Sequence, residues 1–263
     1  MPQPVRAVER ALDILLCFTR EDPVRSLTQI SECVNMSKTT VHRLLGTLEN
    51  KRFITRDKVT GLYRLGFRFI EMASLVLQDV DLHRWADPYL QHLSSECGET
   101  VDLSILDGLH VIYLQVIESP QRVKLAAAVG QRLPAFCTAS GKALLAFLPE
   151  DQVHKILGEN LTKFTSNTPI SALEIMESLR ATRERGYAIS EQEYEPDINA
   201  VAAPIFNVEN QPVASVAIVG PSFRVTQERL PSLGESARAT AKLIQDEVGL
   251  TALSAIITKA RTL

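Results

Sequence analysis

Apolar residues recur at helical spacing through the first fifth of the chain and at strand spacing after it, and the changes of period mark the elements. Residues 5–18 carry Val8, Leu12, Leu15 and Leu16 at helical spacing, which predicts an amphipathic helix against which a following helix pair can pack. Residues 26–50 hold two short helical patterns joined by a break at 35–38. Ser26 and Gln29 have capping-box spacing, so the first helix starts at about Leu27. Asn35 and Ser37 suit a turn and an N-cap, so the second starts near Lys38. Its Val41, Leu44, Leu45 and Leu48 fall at i, i+3, i+4 and i+7, one buried stripe. Thr39, Arg43, Gly46 and Asn50 point the opposite way, flanked by Thr40, His42 and Thr47. The period then drops to two over 52–56 and 62–65, around turn chemistry at 57–61. A helix, a helix-turn-helix and a hairpin together describe a winged helix, whose second helix enters the major groove while the wing lies on the phosphate backbone.

Residues 67–78 are too apolar for a free linker. They pack on their own domain or pair with their twin in a dimer, and the predicted linker or dimerisation helix covers 67–81. Asp87-Pro88 reads as a cap followed by a first-turn proline, a fresh helix start, with the helix ending before Gly98. Val101, Leu103 and Ile105 then alternate with polar residues, Asp107-Gly108 is a hairpin turn, 110–117 is a more continuous strand, and 123–128 extends the sheet. Residues 136–148 read as a tight loop feeding an Ala/Leu-rich helix, followed by helices at 150–157 and from the Ser171/Glu174 cap to before Gly186. Strands return at 187–193, 199–206 and 213–219, and a helix over 226–248 closes the chain's pattern. Separate blocks of hairpins and helices predict an α+β fold rather than a doubly wound parallel sheet. The expected domains are 5–66 for the winged helix-turn-helix, 67–81 for the linker helix and 82–250 for the second domain.

Charge sharpens this picture. Residues 37–68 hold eight Lys or Arg against Glu49 and Asp57, a net +6, in a chain of net −3 whose remainder is therefore −9. A positive module on an acidic body needs a polyanionic partner more than it needs solubility, which points to double-stranded DNA. Thr39, Thr40, His42 and Arg43 are the candidates for base edges; Ser37, Lys38, Arg56, Lys58 and Arg64 are the candidates for phosphates. His42 has the alternative of being solvated decoration. No stretch has the apolar length of a membrane helix and the first residues lack a signal-peptide core, so a cytoplasmic, nucleoid-associated protein is expected. Cys17, Cys33, Cys97 and Cys137 are scattered, with no C-x-x-C pair, and are read as buried thiols.

In order and spacing, S-K-T-T-V-H-R-L-L-x-T-L from Ser37, Y-R-L-G from Tyr63, A-S-G-K-A-L-L-A from Ala139, R-G-Y from Arg185, V-A-A-P-I-F from Val201 and G-P at Gly220 resemble the IclR-type bacterial transcriptional regulators over nearly the whole chain. The resemblance implies a homodimer or dimer of dimers, an N-terminal domain on a palindromic promoter site, and a C-terminal profilin-like or GAF-like domain holding a small-molecule effector. Carried onto this chain, the effector site it implies is Ala139 and Ser140 on the loop, Ser190, Glu193 and Asp197 at the turn, and Ala200, Ala217 and Val219 on the strands. Members that take glyoxylate or pyruvate tend to offer Cys or Ser, and a turn glycine, at positions that are Ala200, Ala217, Val219 and Asp197 here. Fewer donors and two added acids predict a larger, less acidic effector, because a buried carboxylate without partners is penalised by several kcal/mol.

Other chemistry is thin. Ser140-Gly141-Lys142 suggests a phosphate loop, but a Walker motif needs glycine where Phe136 stands. Ser140 has two open readings, helix cap or ligand contact. His83, His92, His110 and His154 are dispersed and no metal motif appears, so neither metal nor cofactor is expected. Glu191, Glu193, Glu195 and Asp197 are paired acids or a solvated run. With no nucleophile and base in view, a regulator is expected rather than an enzyme carrying an accessory winged helix.

Overall fold

A computed structural model describes residues 5–78, 82–158, 161–207 and 209–247. The chain divides into two compact units between Gln78 and Asp79.

The first unit begins with α1 (Arg6–Leu16), β1 (Val24–Arg25), α2 (Leu27–Cys33) and α3 (Lys38–Asn50), and continues through β2 (Ile54–Arg56) and β3 (Tyr63–Leu65) to α4 (Arg68–Gln78). Ser26 and Gln29 form the expected capping box on α2, Asn35 takes the left-handed turn at φ 47°, and Ser37 caps α3. Ile14, Ile30, Val41, Leu45, Leu48, Ile54 and Tyr63 make the core, with Leu44 at its edge. The wing is a three-stranded antiparallel sheet in the order β1-β3-β2, so the hairpin gains a two-residue strand too short to show a period. Gly66 closes the wing where a Cβ would overlap the Arg52 carbonyl, which gives the glycine of Y-R-L-G its reason.

Helix α1 corrects the sequence reading. It buries Ile14, with Ala11, Leu15 and Phe18 beside it, whereas Val5, Val8, Leu12 and Leu16 form a second apolar stripe left exposed. On α4, Phe69 packs edge-on against Phe53 at 5.3 Å, while Ile70, Met72 and Leu75 are exposed. Residues 79–81 of the expected linker helix and the side chains of Val76 and Leu77 lie outside the described residues, as does Val248.

The second unit holds α5 (Leu82–Cys97), β4 (Thr100–Asp107), β5 (His110–Ile117), β6 (Arg132–Pro134), α6 (Ala139–Leu145), α7 (Glu150–Leu157), α8 (Ala172–Arg185), β7 (Ala188–Glu191), β8 (Ile198–Phe206), β9 (Pro212–Pro221) and α9 (Leu230–Glu247). One six-stranded antiparallel sheet, β6-β5-β4-β9-β8-β7, carries it, the α+β arrangement expected. Alternation sorts the strands. Val101, Leu103, Val201, Ala203, Val216 and Ile218 face α5 and α9; Ala200, Ala202, Ala217 and Val219 face α6, which meets them through Ala139 and Ala143.

Three readings change here. Pro88 is inside α5 rather than at its start: the helix already runs from Leu82, the proline is exposed, and Asp87 accepts from Gln115 Nε2 on β5 instead of capping. Residues 123–128 are not a strand but an irregular run, and the edge strand is Arg132–Pro134. Cys33 is exposed and Cys97 half-buried; Cys17 and Cys137 are the buried thiols. Burial pushes the Cys17 and Cys137 thiols up to about 12.

Candidate DNA-reading face and ligand cavity

The reading face lies in the first unit. Ser37 Oγ accepts from Thr40 N at 3.4 Å, so its hydroxyl is engaged at the α3 cap. Lys38, Thr39, His42 and Arg43 are exposed along the helix, and Thr40 is half-buried. A Cβ added at Gly46 would meet nothing within 4 Å, so α3 is open at that position, while Ala7 and Arg10 of α1 lie beside Thr40, Arg43 and Thr47. Arg56 stacks over the buried Tyr63 ring at 5.4 Å and bonds the Gly61 carbonyl, which holds one wing cation rigidly. Asp57 accepts from Val59 N and Thr60 N at 2.9 and 2.8 Å, fixing the wing turn and holding its carboxyl below the usual range. Among the described residues none of Lys38, Arg43, Lys51, Lys58 and Arg64 forms an ion pair within the protein. The nine DNA-contact candidates thus sit on one helix and its wing, where the cations form no ion pair among the described residues and Arg64 has Asp57 near it.

The second unit holds a partly open cavity of about 70 Å³. Its floor is Ala200 and Val219; α6 supplies Ala139 and Ser140, β7 supplies Ser190, and the irregular run 125–127 forms a wall with Tyr113, Leu133 and Ile198. Within 123–128, then, Leu125, Ala126 and Ala127 border a cavity rather than pair a ladder. Five of the eight effector candidates line this space. The other three do not. Ala217 is fully buried beneath α6, Asp197 is exposed on a turn at φ 60°, and Glu193 turns inward to pair with Lys142.

Ser140 is not the helix cap; Thr138 is, accepting from Gly141 N at 3.3 Å. Ser140 Oγ instead donates to Asp102 Oδ1 at 3.3 Å, and Ser104 Oγ donates to the same oxygen at 2.5 Å. Asp102 is 1% exposed, and burial pushes its carboxyl up to about 6 against the two serine bonds that lower it. The same burial, with Asp102 adding to it, raises the Tyr113 phenol, which stays protonated. Asp102, Tyr113, Thr138, Gln131 and Tyr194 escaped the sequence reading, and Glu195 entered it only among paired acids or a solvated run. A polar residue alternating with Val101 and Leu103 normally faces solvent, and only α6 and its loop, lying over that face, make Asp102 interior.

The Asp102 proton has a thermodynamic consequence. The folded chain holds it more tightly than an ordinary carboxyl of 3.8, so this group's contribution to stability is fully present below about pH 4 and is lost as pH rises through about 6. Asp102→Asn is therefore expected to gain on the order of 2 kcal/mol relative to the parent between pH 5 and 8. Urea titrations at both pH values check it; a difference that does not change with pH counts against the buried charge.

A cationic reading helix with its wing, in one chain with an α+β domain that holds a cavity, defines a DNA-binding transcriptional regulator. The chain belongs to the IclR family: residues 7–58 match the IclR helix-turn-helix domain and residues 74–246 match the bacterial transcriptional regulator IclR C-terminal domain. It is 33% identical to the HTH-type transcriptional regulator XynR of Escherichia coli K12 over 94% of this chain and 99% of that one. It is 30% identical to the HTH-type transcriptional repressor AllR of the same strain, over 94% and 92%. An IclR homologue from Microbacterium hydrocarbonoxydans, solved in complex with 4-hydroxybenzoate, shares the fold at TM-score 0.81 and 22% identity, over 95% of this chain and 99% of that one. Among the described residues no helix is long and apolar enough to cross a membrane.

Proposed function

We propose that the protein is a repressor that binds a palindromic operator as a homodimer or dimer of dimers, and that a small metabolite less acidic than glyoxylate or pyruvate, held in the C-terminal cavity, changes that affinity. In this reading residues 5–66 read DNA, 67–81 connect and dimerise, and 82–250 hold the effector. The single observation that carries DNA reading is the cationic face of α3 and the wing, where Arg43 is exposed and has no ion pair among the described residues. Arg43 bonds a guanine edge, with Thr39, Thr40 and His42 beside it. Ser37, Lys38, Arg56, Lys58 and Arg64 hold phosphates and set the register.

The test is a pair of substitutions measured on a duplex selected by the protein from random sequence and on a scrambled one. Arg43→Ala is expected to weaken the selected duplex about tenfold to a hundredfold, the scale of one bidentate base contact, and to spare the scrambled one. Lys58→Ala weakens both alike and lowers the salt slope by about one. Equal losses on the two duplexes for Arg43→Ala would remove the base-reading role.

Two exposed apolar stripes support self-association: Val5, Val8, Leu12 and Leu16 on α1, and Ile70, Met72 and Leu75 on α4. A two-fold site spaced by about one helical turn requires two reading heads, so the occupant of these stripes is a second copy. A single monomer-sized species in sedimentation velocity at micromolar concentration sinks this part. We infer a cytoplasmic, nucleoid-associated protein that acts by binding alone, because its partner is the chromosome and its relatives carry the names of regulators.

A further inference from the structure

The hydroxyls lining one side of the cavity share a hydrogen-bonding direction. Thr138 Oγ1 donates to the Pro134 carbonyl at 2.8 Å, Ser190 Oγ to the Cys137 carbonyl at 3.2 Å, and Ser140 Oγ to Asp102 Oδ1 at 3.3 Å. A hydroxyl has one proton, and each of these three is committed inside the protein. What they offer a ligand is lone pairs. Asp102 enforces this for Ser140: an ionised carboxylate only accepts, and Ser104, its other partner, has also given its proton to it.

Charge points the same way. Glu195 lines the cavity, and no Lys or Arg is among the described lining residues. The buried amine on the same helix, Lys142, is taken by Glu193 at 2.5 Å. The donors in the lining are neutral, the Tyr113 and Tyr194 phenols and the Gln131 amide, whose oxygen accepts from Ala128 N. A ligand carboxylate entering here finds only these neutral donors, beside lone pairs and the Glu195 carboxylate, with no cation to offset its desolvation. An apolar body, by contrast, finds Leu125, Leu133, Ile198 and Val219.

We propose that the cavity takes a small apolar-bodied alcohol or amine, whose O–H or N–H donates to the Ser140 hydroxyl, and that Asp102, acting through Ser140, sets the preference against carboxylates. This rests on the reading of the cavity as the effector site, and it makes Asp102 a positioning residue for specificity rather than a ligand contact.

Benzyl alcohol, benzylamine and benzoate have nearly one size and differ at one end, so they test it on the intact chain at pH 8 by calorimetry and saturation-transfer NMR. The alcohol and the amine are expected to bind, with benzoate about tenfold or more weaker. Asp102→Leu removes the acceptor and frees the Ser140 proton; benzoate then gains and benzylamine loses, about tenfold each. Ser140→Ala weakens the alcohol and amine without a gain for benzoate, and it decides the question should Asp102→Leu fail to fold. Benzoate binding as tightly as the others, an unchanged ratio in both variants, or no binding of any probe at millimolar concentration each overturns the assignment. A mobility shift with the selected duplex separates the two readings. Probes that bind in the expected order but leave DNA affinity untouched support the cavity's chemistry and remove its effector role.

Discussion

Lys142→Met is expected to destabilise the C-terminal unit by about 3–5 kcal/mol, the usual cost of leaving one member of a buried ion pair alone. Lys142 is among the largest fully buried side chains of the chain, with 2% of its side chain exposed, and its ammonium lies 2.5 Å from Glu193 Oε1, itself 14% exposed. Burial lowers the lysine's pKa and raises the glutamate's, each partner offsetting the other's shift. Glu193 Oε2 is already buried without a hydrogen-bond partner in the protein, so removal of the lysine leaves a buried carboxylate without its ion-pair partner. The double variant Lys142→Met/Glu193→Leu is expected within about 1 kcal/mol of the parent, because well-packed apolar replacements of a buried pair are commonly neutral or better. Urea denaturation of the four proteins closes the cycle. Losses that simply add would show that the pair matters through volume and not through charge.

This pair explains why a sequence-predicted effector residue is absent from the cavity while its neighbours are present. Thr168 Oγ1 and Thr165 Oγ1 bond the carbonyls of Glu193 and Gln192 at 2.6 Å, and with the Lys142 link they hold the turn that sends Tyr194 and Glu195 to the cavity wall. Glu193 acts behind the wall, not in it.

The second large effect belongs to Gly141. A Cβ there would overlap the Ala135 carbonyl and Cα, which are backbone and cannot rotate away. Gly141→Ala is expected to cost about 3 kcal/mol, the upper part of the range for overpacking a tight core. It also lifts the first turn of α6, carrying Ala139 and Ser140 off the cavity, so binding of benzyl alcohol should weaken even where the chain remains folded. Thermal unfolding and calorimetry on the same preparation check both. A stable variant with unaltered binding would mean that the loop from Ala135 to Cys137 shifts without strain. The glycine in A-S-G-K-A-L-L-A is thus a packing requirement, whereas the serine before it lines the cavity.

The winged helix was legible because its information is local. Capping boxes, the Asn35 turn and a 3.6-residue stripe act within a few residues, and the cationic surplus of residues 37–68 is a sum that needs no coordinates. Failures fell where a local signal was used for something distant. Asp87-Pro88 has the chemistry of a helix start, yet the carboxylate is engaged by Gln115 on a strand and the helix has already begun. Residues 123–128 have strand-like apolar content, but they form no strand, and Leu125, Ala126 and Ala127 wall the cavity. The stripe of Val8, Leu12 and Leu16 was read as core because apolar periodicity marks a face that avoids water without saying what covers it.

By itself, then, the sequence determined the order of elements, the antiparallel α+β class of the second domain, the segregation of charge and the polypeptide stretches that carry each site. Tertiary structure alone decided the cavity's polarity. Alternation along β4 places Asp102 and Ser104 opposite Val101 and Leu103 whatever the surroundings, but whether that side meets water or α6 depends on a helix nearly forty residues further on. The direction of each serine's single proton follows from which acceptor lies within about 3 Å, and that distance exists only once the chain has folded.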